Sequence, residues 1–287
     1  MSRWTIDEPT TLDFDGVVAL KATLISGSVS VLASDFSAGE APGGAGAERP
    51  SIKITGVDGP PLVIGHEAGM LTITHERLWE GVLSWLRTQK CHADITVTVP
   101  RDCPVTLNLV SADAVVSGLT ARASIKSASG DVTLDGLLGT VDANTVSGAL
   151  EAQGLDGAVT FTSVSGDLTL AGGSIDRLAA RTVSGRVAAD VDLAGESRVE
   201  ANTVSGEVAL RIPEDAGAEV SLNSATGRID TSFPELGRQD RAVARSVNGK
   251  LGDGSGRLSV NTVSGSVTLL GRPVADAPEI TTPRTEK

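Results

Sequence analysis

The sequence predicts an all-β chain, a single-domain parallel β-solenoid of about nine to ten short coils with a β-rich N-terminal cap. Three observations carry this. A quartet of the type Thr-Val-Ser-Gly recurs through the chain, the apolar residues around it keep fixed offsets, and the composition suits thin stacked sheets. Of 287 residues, 40% are hydrophobic but only 2% are aromatic, and Tyr is absent. Such a core is built from Val, Leu, Ile and Ala, which fit a pleated surface. The 33 glycines imply many turns or close backbone approaches.

TVSG stands at 145–148, 182–185, 203–206 and 262–265, with variants SASG (127–130), SVSG (163–166), SATG (224–227), SVNG (246–249) and LISG (24–27). LVSA, ending at Ala112, is a degenerate copy. With the last residue of each quartet taken as position zero, the repeat positions are Gly27, Gly130, Gly148, Gly166, Gly185, Gly206, Gly227, Gly249 and Gly265. At minus two stand Val110, Val146, Val164, Val183, Val204, Val247 and Val263, and at plus two Val132, Leu150, Leu168, Val187, Val208, Ile229, Leu251 and Val267. Plus four is mostly apolar, with Thr231 and Asp253 as exceptions. Minus two, zero, plus two and plus four share one parity, which predicts a strand with that face inward. Upstream, pairs such as Val141 and Ala143 lie at minus seven and minus five, in the opposite parity. The chain is therefore expected to bend between minus five and minus two. A second, length-variable corner follows plus four.

Position zero is then either a turn needing positive φ or a close approach of the opposite sheet; Ala112 favours the latter. The rival is an antiparallel meander turning at Ser-Gly. Ser-Gly is not a favoured two-residue hairpin turn, so the solenoid is preferred.

Residues 1–100 read as the cap, with one repeat copy at LISGSVSV and strands at 51–56, 70–75 and 94–99. SAGEAPGGAGAERP (37–50) reads as a flexible loop by composition. Within the cap, 77–90 forms an amphipathic insertion. Leu78, Val82 and Leu86 share a helical face, with Trp79, Leu83 and Trp85 beside it. It is either a packed cap element or a docking face for a partner or a membrane surface. Residues 101–271 form the repeat array, and 272–287, with three prolines and no periodicity, read as a disordered tail.

The formal net charge of −12 argues against nonspecific nucleic-acid binding. No stretch reaches the ~18 apolar residues of a membrane span. The polar, acidic start lacks a signal-peptide pattern, so a cytoplasmic location is expected, with cell-envelope association as the alternative. His66, His75 and His92 lack metal-site spacing with Cys91, and GDGSG (252–256) lacks the recurrence of calcium repeats, so no metal or cofactor is expected. The array holds no His, and no catalytic triad is legible. Ser or Thr at minus three, Ser at minus one and Asn at minus four (Asn144, Asn202, Asn223, Asn261) predict ladders along the stack. They either satisfy backbone groups at the corner or form a polar stripe for a glycan or other polymer.

TVSG and SASG followed by a charged residue and V/L-x-L, with the lead-in ITVTVPRDCPVTLNLVSAD, resemble the bacterial candidate-adhesin β-strand-repeat family, a toastrack-like domain of unknown function. The resemblance spans nearly the whole chain. It implies a β-solenoid-like fold, frequent envelope association, and a link to adhesion or envelope-stress sensing. It brings no catalytic residues. The expectation is a non-enzymatic binding or scaffolding module with an unidentified protein or polymer partner. An exported adhesin or envelope-stress sensor component is the first alternative, and a polysaccharide-acting β-helix enzyme the second.

Overall fold

The computed structural model describes residues 2–34, 49–75, 91–240 and 245–273. The described residues contain strands and no helix. In chain order the strands are β1 (Ser2–Ile6), β2 (Thr10–Asp13), β3 (Ala19–Ser34), β4 (Ser51–Asp58), β5 (Leu62–Glu67), β6 (Met70–His75), β7 (His92–Pro100) and β8 (Val105–Ser117). The array continues with β9 (Ala123–Ser127), β10 (Val132–Asp135), β11 (Leu138–Thr145), β12 (Leu150–Gln153), β13 (Asp156–Ser163), β14 (Leu168–Thr182) and β15 (Val187–Thr203). It closes with β16 (Val208–Pro213), β17 (Ala218–Ser224), β18 (Ile229–Thr231), β19 (Gly237–Asp240), β20 (Arg245–Leu251), β21 (Gly256–Thr262) and β22 (Val267–Arg272).

The result is a β-solenoid-like stack with two main faces. The face after position zero runs β7, β3, β8, β10, β12, β14, β15, β16, β22, β18, every neighbouring pair parallel. The face before it runs β6, β3, β8, β9, β11, β13, β14, β15, β21, β17, again all parallel. Parallel pairing along both faces excludes the meander. Antiparallel strands close both ends. β4 and β2 extend one face beyond β7, and β5 and β1 extend the other beyond β6. At the far end β20 and β19 add to β17. Such pairing covers the open backbone that a bare coil would present.

Between the faces lies an aliphatic interior. Val141, Ala143, Leu150, Val159, Phe161, Leu168, Leu178, Val187, Val199 and Val208 are all buried. At ~25 cal/mol per Å² of apolar surface removed from water, each Val or Leu contributes about 1.5–3 kcal/mol. That is the term holding successive coils together.

The structure corrects three expectations and adds one feature, the order of the coils. The coils do not stack in chain order, because β21 and β22 lie between the coils of β15–β16 and β17–β18. Likewise β3 lies between β6–β7 and β8. The Gly249 quartet is no member of the parallel stack, since it sits in β20, antiparallel to β17. Minus two faces outward, and the buried residue is at minus three. The bend accordingly falls between minus three and zero. Finally, the backbone that crowds the glycines belongs to the neighbouring coil and not to the opposite sheet. A Cβ on Gly130 would collide with the Ala112 carbonyl, on Gly148 with that of Gly130, and on Gly166 with that of Gly148. The series continues through Gly185, Gly206, Gly265 and Gly227, each against the one before it in space. Positive φ applies to Gly27 alone among the repeat glycines. Ala112 is accommodated because β8 passes through position zero as continuous strand, paired with Gly27.

Candidate binding edge

Six of the corners share one local motif. The Ser or Thr at minus three turns inward, and its hydroxyl accepts the N–H of the Gly three residues later. The distances are 3.0 Å for Ser127 and Gly130, 2.7 Å for Ser163 and Gly166, and 3.0 Å for Thr182 and Gly185. Thr203, Ser224 and Thr262 do the same for Gly206, Gly227 and Gly265 at 2.8–2.9 Å. A buried hydroxyl is tolerated there because it satisfies a buried N–H. Placing minus three and zero both inward pushes the two residues between them out.

Those two residues form an edge along the stack. In spatial order the minus-two residues are Val110, Ala128, Val146, Val164, Val183, Val204, Val263 and Ala225. All are exposed, the valines by 43–53%. Beside them the minus-one Ser bonds back to the stack. Its backbone N–H and its hydroxyl both donate to the minus-two carbonyl of the adjoining coil. Ser147 bonds the Ala128 oxygen and Ser165 the Val146 oxygen, each hydroxyl at 3.2 Å. Ser264 bonds Val204, and Thr226 bonds Val263, at 3.3 and 3.2 Å. With the hydroxyl proton committed inward, each Ser offers solvent only oxygen lone pairs. Seven coil steps of about 4.8 Å make this edge about 34 Å long. A polar stripe and an apolar stripe thus run side by side. Sequence parity missed it, because it took every Val of the motif for core.

The minus-four Asn side chains form a second ladder, Asn261 Nδ2 to Asn202 Oδ1 at 3.0 Å and Asn223 Nδ2 to Asn261 Oδ1 at 3.1 Å. The acids at plus one serve the backbone. Asp113 accepts the Asp131 N–H at 3.0 Å, Asp131 that of Ala149 at 2.9 Å, and Asp167 that of Arg186 at 2.7 Å.

The other candidates are dispersed. His66 packs edge-on to Phe14, His75 is buried with Nδ1 3.4 Å from the Pro60 carbonyl, and His92 lies 3.1 Å from Asp94. The Ser28 hydroxyl at 2.7 Å, then His92, hold the Asp94 carboxyl below its ordinary pKa. Burial pushes the Cys103 thiol up to about 12, so it stays protonated and unreactive. Among the described residues no group of three His, Cys, Asp or Glu is placed to hold a metal ion. GDGSG crosses the start of β17. There Asp253 and Ser255, with Asp192, Asp215 and Gly217, line an open groove of about 490 Å³. Leu78, Trp79, Val82, Leu83, Trp85 and Leu86 lie outside the described residues, as do the tail after Pro273 and most of the 37–50 loop.

A family profile described as Toastrack DUF4097 matches residues 61–270. The chain belongs to this Toastrack family. No curated protein matches it in sequence. Among solved structures, similar ones include a candidate lipid-binding protein of Parabacteroides distasonis, 15% identical, covering 93% of this chain and 97% of that one at a TM-score of 0.46. A candidate adhesin of the same organism is 11% identical, with coverage of 95% and 97% and a TM-score of 0.34. A candidate cell adhesion protein of Clostridium sporogenes is 12% identical, with coverage of 92% and 99% and a TM-score of 0.27. At these values they say nothing further about this Toastrack chain. No helix among its described residues is long and apolar enough to cross a membrane.

Proposed function

We propose that this Toastrack protein is a non-enzymatic, adhesin-like binding module, and that it engages an elongated, uncharged polymer along the minus-two and minus-one edge. The observation that supports this is the continuity of the edge, which repeats one apolar group and one oxygen acceptor per coil. A neutral glycan offers the matching pair, C–H faces for the Val side chains and hydroxyl donors for the Ser oxygens. The net charge of −12 disfavours an acidic polymer. The absence of Tyr, and of any Trp or Phe among the minus-two residues, means that affinity comes from many small contacts.

The test is co-sedimentation with insoluble cellulose, chitin and starch, comparing wild type with the double variant Val146→Asp, Val183→Asp. Both substitutions are on exposed side chains, so the urea midpoint should move little. Retention of the wild type on at least one polymer, with at least a tenfold loss in the variant, supports the reading. Equal retention, or none on all three, rejects it. Cell fractionation separates the two forms of the proposal, an intracellular scaffold and an exported adhesin.

A further inference from the structure

We infer that the slot between the coils of β15–β16 and β17–β18 is a binding site for a repeat coil of a second copy of this chain, with residues 256–272 as the segment exchanged. The inference goes beyond the edge and does not depend on what the edge binds.

In the single chain this slot is filled by its own β21 and β22. β21 is paired in parallel with β15 over Arg198–Thr203 and with β17 over Ala218–Ser224. β22 is paired with β16 over Val208–Pro213 and with β18 over Ile229–Thr231. Leu258, Val260, Val267 and Leu269 are fully buried in it. The Thr262 to Gly265 corner contact repeats one found in other coils, and the Asn ladder adds a contact to the coil on each side, Asn202 and Asn223. The slot therefore recognises the repeat register together with Asn261 of this coil.

What sets this coil apart is its connection. An inner coil such as that of β11–β12 joins its spatial neighbours directly in chain order. Residues 256–272 join the array through the short connector 252–255, which leaves β20, crosses the start of β17 and begins β21 on its other side. No later described strand packs on this coil, but β17 and β18 join the rest of the stack through it, so the coil of a second copy must refill the slot for them to stay in place. The connector carries two glycines at positive φ, Gly252 and Gly254, and is held by the Ser255 hydroxyl to the Gly195 and Gly217 carbonyls at 3.2 and 3.4 Å. Straightened, it would carry the coil into a neighbour. At the coil's end Arg272 pairs with Asp190 and Asp192, and these partners exist equally on a second copy. Every contact of the slot is thus reproduced in an exchanged pair. Only the connector conformation and the association term separate the two forms, which is the condition for swapping.

The test uses full-length chains lacking the native thiols (Cys91→Ser, Cys103→Ala). One carries Asn202→Cys and the other Asn261→Cys. They are mixed, unfolded in urea, refolded together and oxidised. A single chain carrying both substitutions is the control, since these residues are paired across neighbouring strands, whose spacing of about 4.8 Å lies within the ~4.4–6.8 Å Cα separation of a disulfide. The expectation is an intramolecular link in the control and a disulfide-linked heterodimer in the mixture. Its ratio to monomer should rise about tenfold for a tenfold rise in chain concentration, by mass action. A linked control with no heterodimer at any concentration overturns the exchange. An unlinked control overturns the placement of the coil.

Discussion

Replacing Gly166 by Ala tests the packing at position zero most sharply. An ideal Cβ there falls inside contact with the Gly148 carbonyl oxygen, 2.7 Å from Thr145 Oγ1 and 2.8 Å from Ser163 Oγ. The first neighbour is backbone, held in a parallel stack on both sides, and cannot turn away. Overpacking of this kind costs about 1–3 kcal/mol. Moving Ser163 Oγ also strains its 2.7 Å bond to the Gly166 N–H, worth about 1 kcal/mol. Against this, Ala restricts the unfolded chain and returns about 0.4–1 kcal/mol. The net expectation is a loss of about 2–3 kcal/mol, large beside a total stability of about 5–15 kcal/mol. Gly195 is the control, since nothing lies within 4 Å of its Cβ position and its φ is not positive. Gly195→Ala should be neutral or slightly stabilising. Urea unfolding followed by far-UV circular dichroism, with m-values compared, measures both. If Gly166→Ala costs no more than Gly195→Ala, position zero is not a site of close approach and the corner geometry is wrong.

Thr203→Val keeps the side-chain shape but removes the acceptor of the Gly206 N–H, now 2.9 Å away. It should cost about 1–3 kcal/mol and speed hydrogen exchange at the Gly206 amide, with Thr203→Ser restoring both. Burial lowers the His75 pKa from its ordinary 6.5, so the unfolded chain takes up this proton before the folded one does. The stability from neutral His75 is complete above pH 6.5 and falls as pH drops below it, by at most about 1.4 kcal/mol per unit. His75→Leu should flatten the urea midpoint in that acid range, and an unchanged slope would show that His75 is not buried neutral.

The repeat, its parallel pairing and its two inward strands were legible because aliphatic side chains at minus seven, minus five, plus two and plus four report burial directly. The edge was not. Val164 and Ser163 exchange their usual places, since the serine hydroxyl is satisfied inside by the Gly166 N–H and the valine is left out by the corner. Apolar parity cannot see that exchange. The false copy at Gly249 did carry a signal, because Asn248 replaces the minus-one Ser and Asp253 occupies plus four. Coil order was hidden for a different reason. Units that share one register fit any slot, and periodicity says nothing of sequence. A trace survived in Asn202, Asn261 and Asn223, which form an unbroken ladder only when the last coil is inserted, since Arg245 at minus four would otherwise interrupt it.

Disulfide trapping within single chains at minus four tests the interleaved stack most directly. Asn223 and Asn261 are paired neighbours, whereas Asn202 and Asn223 are separated by β21. In the thiol-free background, the Asn223→Cys, Asn261→Cys chain should oxidise to an intramolecular disulfide while the Asn202→Cys, Asn223→Cys chain remains reduced. A second spacing of about 4.8 Å puts the latter pair beyond disulfide reach. The reverse outcome, in which the Asn202→Cys, Asn223→Cys chain is linked and the Asn223→Cys, Asn261→Cys chain stays reduced, would mean that the coils follow chain order and would contradict the account.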